Sequence, residues 1–144
     1  MSFEFRKITE NDIGDFYDIR FSVAENKIYP HQVHLLDRNL ILGVFQEGGS
    51  WICLDAHKKV GICCATLNPY PHIFSLFVRP EYDGNGIGKH LLTLCLDWFR
   101  SKNIESVELI TDPGSRADGF YQHLGWKRGE LDEYGCQVKF LFEL

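Results

Sequence analysis

His72-Ile73-Phe74-Ser75-Leu76-Phe77-Val78-Arg79-Pro80-Glu81-Tyr82-Asp83-Gly84-Asn85-Gly86-Ile87-Gly88-Lys89-His90-Leu91-Leu92 is the stretch whose reading decides the fold. Residues 72–78 carry apolar side chains on both parities, Ile73 and Phe77 on one face and Phe74, Leu76 and Val78 on the other, as expected of a central strand covered on both sides. Pro80 has no N–H to donate and disfavours helix at Arg79, so the strand ends there. Gly84, Gly86 and Gly88 allow positive φ and put no Cβ in front of the backbone, so several N–H groups can converge on one anion. From about Gly86 a helix is predicted, with Ile87, Leu91, Leu92, Cys95, Trp98 and Phe99 along one stripe.

A strand, a glycine loop and a helix N-terminus in that order make a phosphate site from unpaired N–H groups and the helix dipole. Glycine spacing alone would be weak evidence, and its flanks strengthen it. A P-loop is excluded, because Gly88-Lys89 is followed by His90 where a hydroxyl is needed for magnesium. A dinucleotide fold asks for Gly-x-Gly-x-x-Gly, whereas this loop reads Gly-x-Gly-x-Gly; Asp112, at about the right distance downstream, keeps that alternative open.

With 144 residues, 44% apolar and 24% charged, the chain suits one soluble domain with a real core. A net charge of −5 with scattered Lys and Arg argues against a sequence-independent grip on nucleic acid and suits a cationic substrate. The first residues have no apolar signal-like core and no run is long enough to span a bilayer, so no membrane association and a cytoplasmic location are expected. Five cysteines without C-x-x-C spacing are expected to be reduced core residues, and the six histidines lack ligand spacing, so no metal is expected.

Around the central stretch, residues 3–8 alternate as a first strand, and Thr9 with Asp12 has the form of a capping box before a helix to about Ala24. Residues 25–31 read as a loop, Val33 to Glu47 as a second helix stopped by Gly48-Gly49, and residues 50–55 and 60–67 as a hairpin. Residues 104–111 give a strand that should pair parallel with residues 72–78 through a right-handed crossover. Asp112-Pro113-Gly114 is expected to cap a helix from Ser115 to Leu124, closed by Gly125, before final strands at 126–130 and 137–144. The fold class is α/β, with a mixed, mostly antiparallel sheet and two parallel strands at its middle.

Two segments resemble the GNAT superfamily of N-acetyltransferases. Leu76-Phe77-Val78-Arg79-Pro80 with Gly86-Ile87-Gly88-Lys89 and Leu91-Leu92 is similar to its Leu-x-Val-x-Pro and Arg/Gln-x-x-Gly-x-Gly/Ala hallmark. Ala117-Asp118-Gly119-Phe120-Tyr121-Gln122-His123-Leu124-Gly125-Trp126 is similar to its Ala-x-x-Phe-Tyr-x-x-x-Gly-Phe, with Trp126 for Phe and Gly114 where Asn is frequent. The similarity covers about residues 60–126; residues 20–26 also resemble the first helix and turn of one group of small bacterial acetyltransferases. Asp83 stands where the family usually has Arg or Gln, which sets a negative charge beside the expected pyrophosphate.

The resemblance implies a single GNAT domain over residues 1–144, acetyl-CoA as the acetyl donor, and direct attack on the thioester by a primary amine of a small molecule or peptide. It implies that the two parallel strands splay near Val78, with Phe77 and Val78 offering main-chain groups to the pantetheine arm. Asp83, Gly84, Asn85, Gly86, Ile87, Gly88 and Lys89 would surround the pyrophosphate. Tyr121 takes the position that often protonates the leaving thiolate, with packing under the cofactor as its plainer role. His72 is the candidate base, its ordinary pKa of about 6.5 suiting the task, although a histidine at a strand end is more often structural. Glu25 and Glu81 are weaker candidates. A domain that holds acyl-CoA without turnover is the alternative, and a homodimer is left open.

Overall fold

The computed structural model describes residues 2–144. Seven strands form one sheet in the order β1-β2-β3-β4-β5-β7-β6. β1 is Phe3–Lys7, β2 Ser50–Asp55, β3 Lys58–Thr66, β4 His72–Val78, β5 Ser106–Thr111, β6 Lys127–Leu131 and β7 Val138–Glu143. All neighbours pair antiparallel except β4 and β5, which run parallel through the crossover α3, Ile87–Ser101. A parallel pair needs such a crossover, and it lands in the middle of the sheet as expected.

The helices divide the core in two. α3 and α4 (Arg116–His123) press Leu91, Leu92, Cys95, Phe99 and Tyr121 against one face of the sheet. α1 (Ile13–Ser22) and α2 (Arg38–Gln46) press Phe16, Ile19, Ile41 and Phe45 against the other. Every residue of the stripe read from the sequence on α3 is buried, and each such large side chain contributes about 1.5–3 kcal/mol relative to exposure. Glycine lets this helix pack close. A Cβ at Gly61 would lie 3.0 Å from Ile87 Cγ2, and one at Gly49 only 2.6 Å from the Trp98 ring.

Three expectations need correcting. The faces of β4 are not those of simple alternation: Cys64 sits opposite Ser75 and Ala65 opposite Ile73, so Phe74 is an extra, bulged residue. Ile73 therefore joins Leu76 and Val78 on the α3 side, while Phe74 joins Phe77 on the α1 side. The second helix does not begin at Val33. Pro30 starts a 3₁₀ segment, Pro30–Leu36, and Asp37 breaks it in extended conformation to cap α2, accepting from the Leu40 N–H at 3.1 Å. Likewise the cap of α4 is Ser115, which accepts from the Asp118 N–H.

The capping box at Thr9 is present, on a 3₁₀ turn that leads into α1. Asp12 is its hub: buried, it takes two hydrogen bonds from Arg6 at 2.8 and 3.0 Å, one from the Thr9 N–H at 2.8 Å, and pairs with Lys59 at 2.8 Å. The five cysteines are free thiols, four of them buried. Among the described residues no helix is long and apolar enough to cross a membrane.

Candidate functional site

The site opens where the parallel strands part. β4 and β5 share a single register pair, His72 with Glu108, backed by the Glu108 N–H donating to the Pro71 carbonyl at 3.2 Å. Beyond it β4 keeps its β3 partners, Phe77 with Ile62 and Val78 with Gly61, while its other edge has no ladder partner. A strand edge inside a sheet is normally paired, since a buried unpaired peptide group is costly. Here the wedge between the strands forms a cavity instead.

This cavity, about 480 Å³, is floored by Leu76, Phe77 and Val78 and ends at Gly84, Gly86, Gly88 and Lys89. Gly84 and Gly86 take φ of +83° and +75°, conformations that only glycine adopts readily. The first bond of α3 runs from the His90 N–H to the Gly86 carbonyl at 3.1 Å, so the N–H groups of Ile87, Gly88 and Lys89 have no helical carbonyl to donate to. α2 and α4 close their N-termini with side chains, and α3 has no such cap. Asn85 does not line the cavity; its amide donates to the Tyr82 carbonyl at 2.9 Å and braces the loop.

Asp83 is not a bare charge. Its carboxylate accepts from Arg116 Nη1 at 2.7 Å, a bond from the loop before α3 to the first residue of α4. Glu25, from the segment after α1, accepts from the Arg116 backbone N–H at 3.1 Å. Arg116 and Lys89 thus bring two cations to the glycine-loop end of the cleft, the first paired with Asp83 through its guanidinium and held by Glu25 through its backbone.

A second cavity, about 650 Å³, lies on the other side of the wedge and shares Asn26, Leu76, Phe77, Ala117 and Tyr121 with the first. Tyr121 is 5% exposed and its hydroxyl has no hydrogen-bond partner among the described residues. Burial pushes its pKa well above the usual tyrosine value, so the phenol stays protonated. The mouth is aromatic: His31 stacks on Tyr134 at 3.7 Å between ring centres, and Tyr70 tilts against His72.

His72 lines this second cavity at the closed end of the wedge. Its Nδ1 donates to the Tyr70 carbonyl at 2.8 Å, leaving Nε2 with the lone pair, and burial lowers its pKa so that the ring is neutral. His72 lines this cavity and not the first, four residues along β4 from Leu76, where the two cavities meet. Glu81 lies in the 3₁₀ turn Pro80–Tyr82, paired with Lys58 and outside both cavities.

Sequence reasoning missed Arg116 and the hydrogen-bonded post that holds the wedge open. Asn26, at φ +57°, accepts from the Asp112 N–H at 2.7 Å and from Thr111 Oγ1 at 3.0 Å, while its own N–H donates to the Asp112 carboxylate at 2.8 Å. Gln137 donates to Asp112 at 3.1 Å and accepts from Gln32 at 2.7 Å. The segment after α1 is thereby tied to the free end of β5. Only the position of Asn26 after a predicted helix hinted at this.

Such a wedge, flanked by an uncapped helix end and a second cavity, defines an α/β protein whose two central parallel strands part beside a glycine loop. A model of the acetyltransferase (GNAT) family matches residues 13–126, and the chain belongs to that family. A 54-residue stretch is 41% identical to an uncharacterised N-acetyltransferase of Prochlorococcus marinus, covering 38% of this chain and 29% of that one. An uncharacterised N-acetyltransferase of Methanocaldococcus jannaschii is 24% identical over 90% of this chain and 63% of its own length. The chain thus spans less than two thirds of either relative. The fold is that of the PaiA N-acetyltransferase from Thermoplasma acidophilum, solved in complex with coenzyme A, with a TM-score of 0.81 over 100% of both chains at 16% identity.

Proposed function

We propose that the protein transfers an acetyl group from acetyl-CoA to a primary amine by direct attack on the thioester. The observation that carries this is the meeting of two cavities at the unpaired edge of β4, with Tyr121 in the wall of both. Acetyl-CoA fits the first cavity on its chemistry. The N–H groups of Ile87, Gly88 and Lys89 suit a pyrophosphate, the free edge at Phe77 and Val78 suits the amides of a pantetheine arm, and Arg116 and Lys89 suit its charge.

When bound, the donor supplies an activated acetyl group. The chain's own part is to orient that group and to stabilise charge. A main-chain N–H at Val78 that lacks a strand partner can polarise the acyl carbonyl in the manner of an oxyanion hole. The amine nitrogen bonds to the acyl carbon, the carbon–sulfur bond breaks, and sulfur leaves with the electron pair. Tyr121, kept protonated by burial and in the wall of both cavities, can donate a hydrogen bond to that sulfur and serve as its proton source. The proton lost by the amine leaves through water in the second cavity, where neutral His72 can receive it only after relay.

The test is release of free thiol from acetyl-CoA in the presence of a panel of amines, with the N-acetyl product identified by mass. Amine-dependent release supports transfer. Saturable acetyl-CoA binding with no release for any amine would instead mean a domain that holds acyl-CoA without turnover.

A further inference from the structure

Arg20 is turned toward the protein without being given a partner. Of the seven arginines, Arg6, Arg79, Arg100, Arg116 and Arg128 donate to a carboxylate or carbonyl, and Arg38 stands in solvent. Arg20 is half-buried on α1, its guanidinium carbon 4.6 Å from the centre of the Phe77 ring, and no hydrogen bond or ion pair reaches it among the described residues. Stacking on an aromatic face orients a guanidinium and leaves its in-plane N–H groups free to donate.

A second group nearby is also unpaired. Ser75 lies two residues before Phe77 on the same face of β4, is 4% exposed, and its hydroxyl has no hydrogen-bond partner among the described residues. Arg20 and Ser75 line the same cavity, the one across the wedge from the glycine loop. A partly desolvated cation and a buried hydroxyl without a partner are each unfavourable alone; an anion entering the cavity would satisfy the cation directly, and the hydroxyl after a turn to another staggered rotamer about Cα–Cβ. Phe77, on which the guanidinium rests, is also one of the residues the two cavities share. The anion would therefore sit close to the reacting amine. Glu108, Asp132 and Glu133 line the same cavity without pairing with Arg20, and supply the negative potential that draws in an ammonium group.

We propose that Arg20, assisted by Ser75, binds a carboxylate carried by the acceptor itself, so that the preferred acceptors are amino-acid-like, with amine and carboxylate a few bonds apart. This rests on the second cavity being the acceptor side. The carboxylate can belong to a free amino acid or to an acidic side chain next to a peptide's N-terminus, and matched probes tell these apart. Phenylalanine is compared with phenethylamine, and the amidated dipeptide Phe-Glu with Phe-Gln, in the thiol-release assay on the intact protein. The carboxylate-bearing member of at least one pair should have the higher kcat/KM by roughly 10- to 100-fold. R20Q should abolish that preference and R20K retain part of it, with CoA affinity unchanged by calorimetry in both.

Binding separates failure of this inference from failure of the acetyltransferase reading. N-acetylphenylalanine, its C-terminal amide and N-acetylphenethylamine are titrated into the wild-type protein alone and saturated with CoA, as are the acetylated dipeptide pairs. Tighter binding of the carboxylates, lost in R20Q, upholds the site even if no amine turns over. Equal kcat/KM within both pairs, or equal affinity within every matched set where turnover is absent, overturns the proposal and leaves acetyl transfer to other amines standing.

Discussion

Tyr121 owes its protonated state to the core that surrounds it. Its raised pKa makes the phenol a weak acid in water's terms, but the same desolvation would raise the basicity of a thiolate forming beside it, so the two would stay matched closely enough for proton transfer. Y121F keeps the ring that packs against Trp126 and Phe140, so CoA affinity should hold while kcat falls by roughly 10²–10⁴, the usual cost of a lost general acid. Near-normal kcat for this variant would move the proton source elsewhere. Arg116 is the other decisive residue. R116Q should weaken CoA binding and flatten its dependence on salt, whereas D83N, which frees Arg116 from its 2.7 Å partner, should tighten it at low salt. Calorimetry at two ionic strengths reads both; unchanged affinity in R116Q would remove the guanidinium from the site. The motif made Asp83 legible in the sequence as a departure. Its consequence was not, because the cation that answers it comes from 33 residues along the chain and only the fold joins them. The Asn26 post escaped notice for the same reason.

At the scale of elements, the glycine loop and α3 were the most legible parts, since helix period, glycine spacing and the flanking strand all agree. β4 was read correctly as a strand but with its faces wrong, because a bulge at Phe74 leaves no mark on apolar alternation when both faces are apolar. The start of α2 was misplaced because Leu35 and Leu36 fit a helical stripe although they belong to a separate 3₁₀ segment. The open end of α3 makes a clean prediction. Gly88 is not in a positive-φ conformation, and a Cβ there would meet Phe120 and Val78 at ordinary distances of 3.7 and 3.8 Å. G88V should therefore fold, yet fill the cleft beside the free N–H groups. CoA affinity should drop by tenfold or more, a loss of about 1.4 kcal/mol at least, with Tm nearly unchanged. Wild-type affinity in a folded G88V would place the phosphates elsewhere. Gly86 is the poorer probe, because a side chain at φ +75° adds backbone strain to any clash with ligand.

For the whole molecule, two buried carboxylates on opposite sides of the core link stability to pH. Burial pushes Asp12 up, but hydrogen bonds from Arg6, Lys59 and the Thr9 N–H outweigh it and hold the carboxyl well below the usual range. The Arg128 guanidinium, with help from the Gly114 N–H and Gln122, holds Asp118 at about 2 against an ordinary 3.8. Both pKa values are depressed on folding, so their contributions are fully present above the ordinary carboxylate range and are lost as pH falls through the folded values. D118N should lower Tm at pH 7, and the gap to wild type should narrow from about pH 4 and be small by about pH 2; a gap of undiminished size at pH 2 would mean that the carboxylate charge is not what stabilises. At this scale the mixed sheet with its central parallel pair was legible from the order of periodic segments. The second cavity was not, because its walls come from the segment after α1, the open ends of β4 and β5, and the turn before β7. The proposed function stands on those walls meeting the first cavity at one point. A conjugate joining the CoA sulfur through a CH₂–C(=O) bridge to the nitrogen of the best acceptor tests that junction by calorimetry. If the cavities are continuous across Phe77 and Tyr121, the conjugate should bind at least 10²-fold tighter than CoA, since its second half binds at high effective concentration. Affinity no better than that of CoA itself would contradict the account.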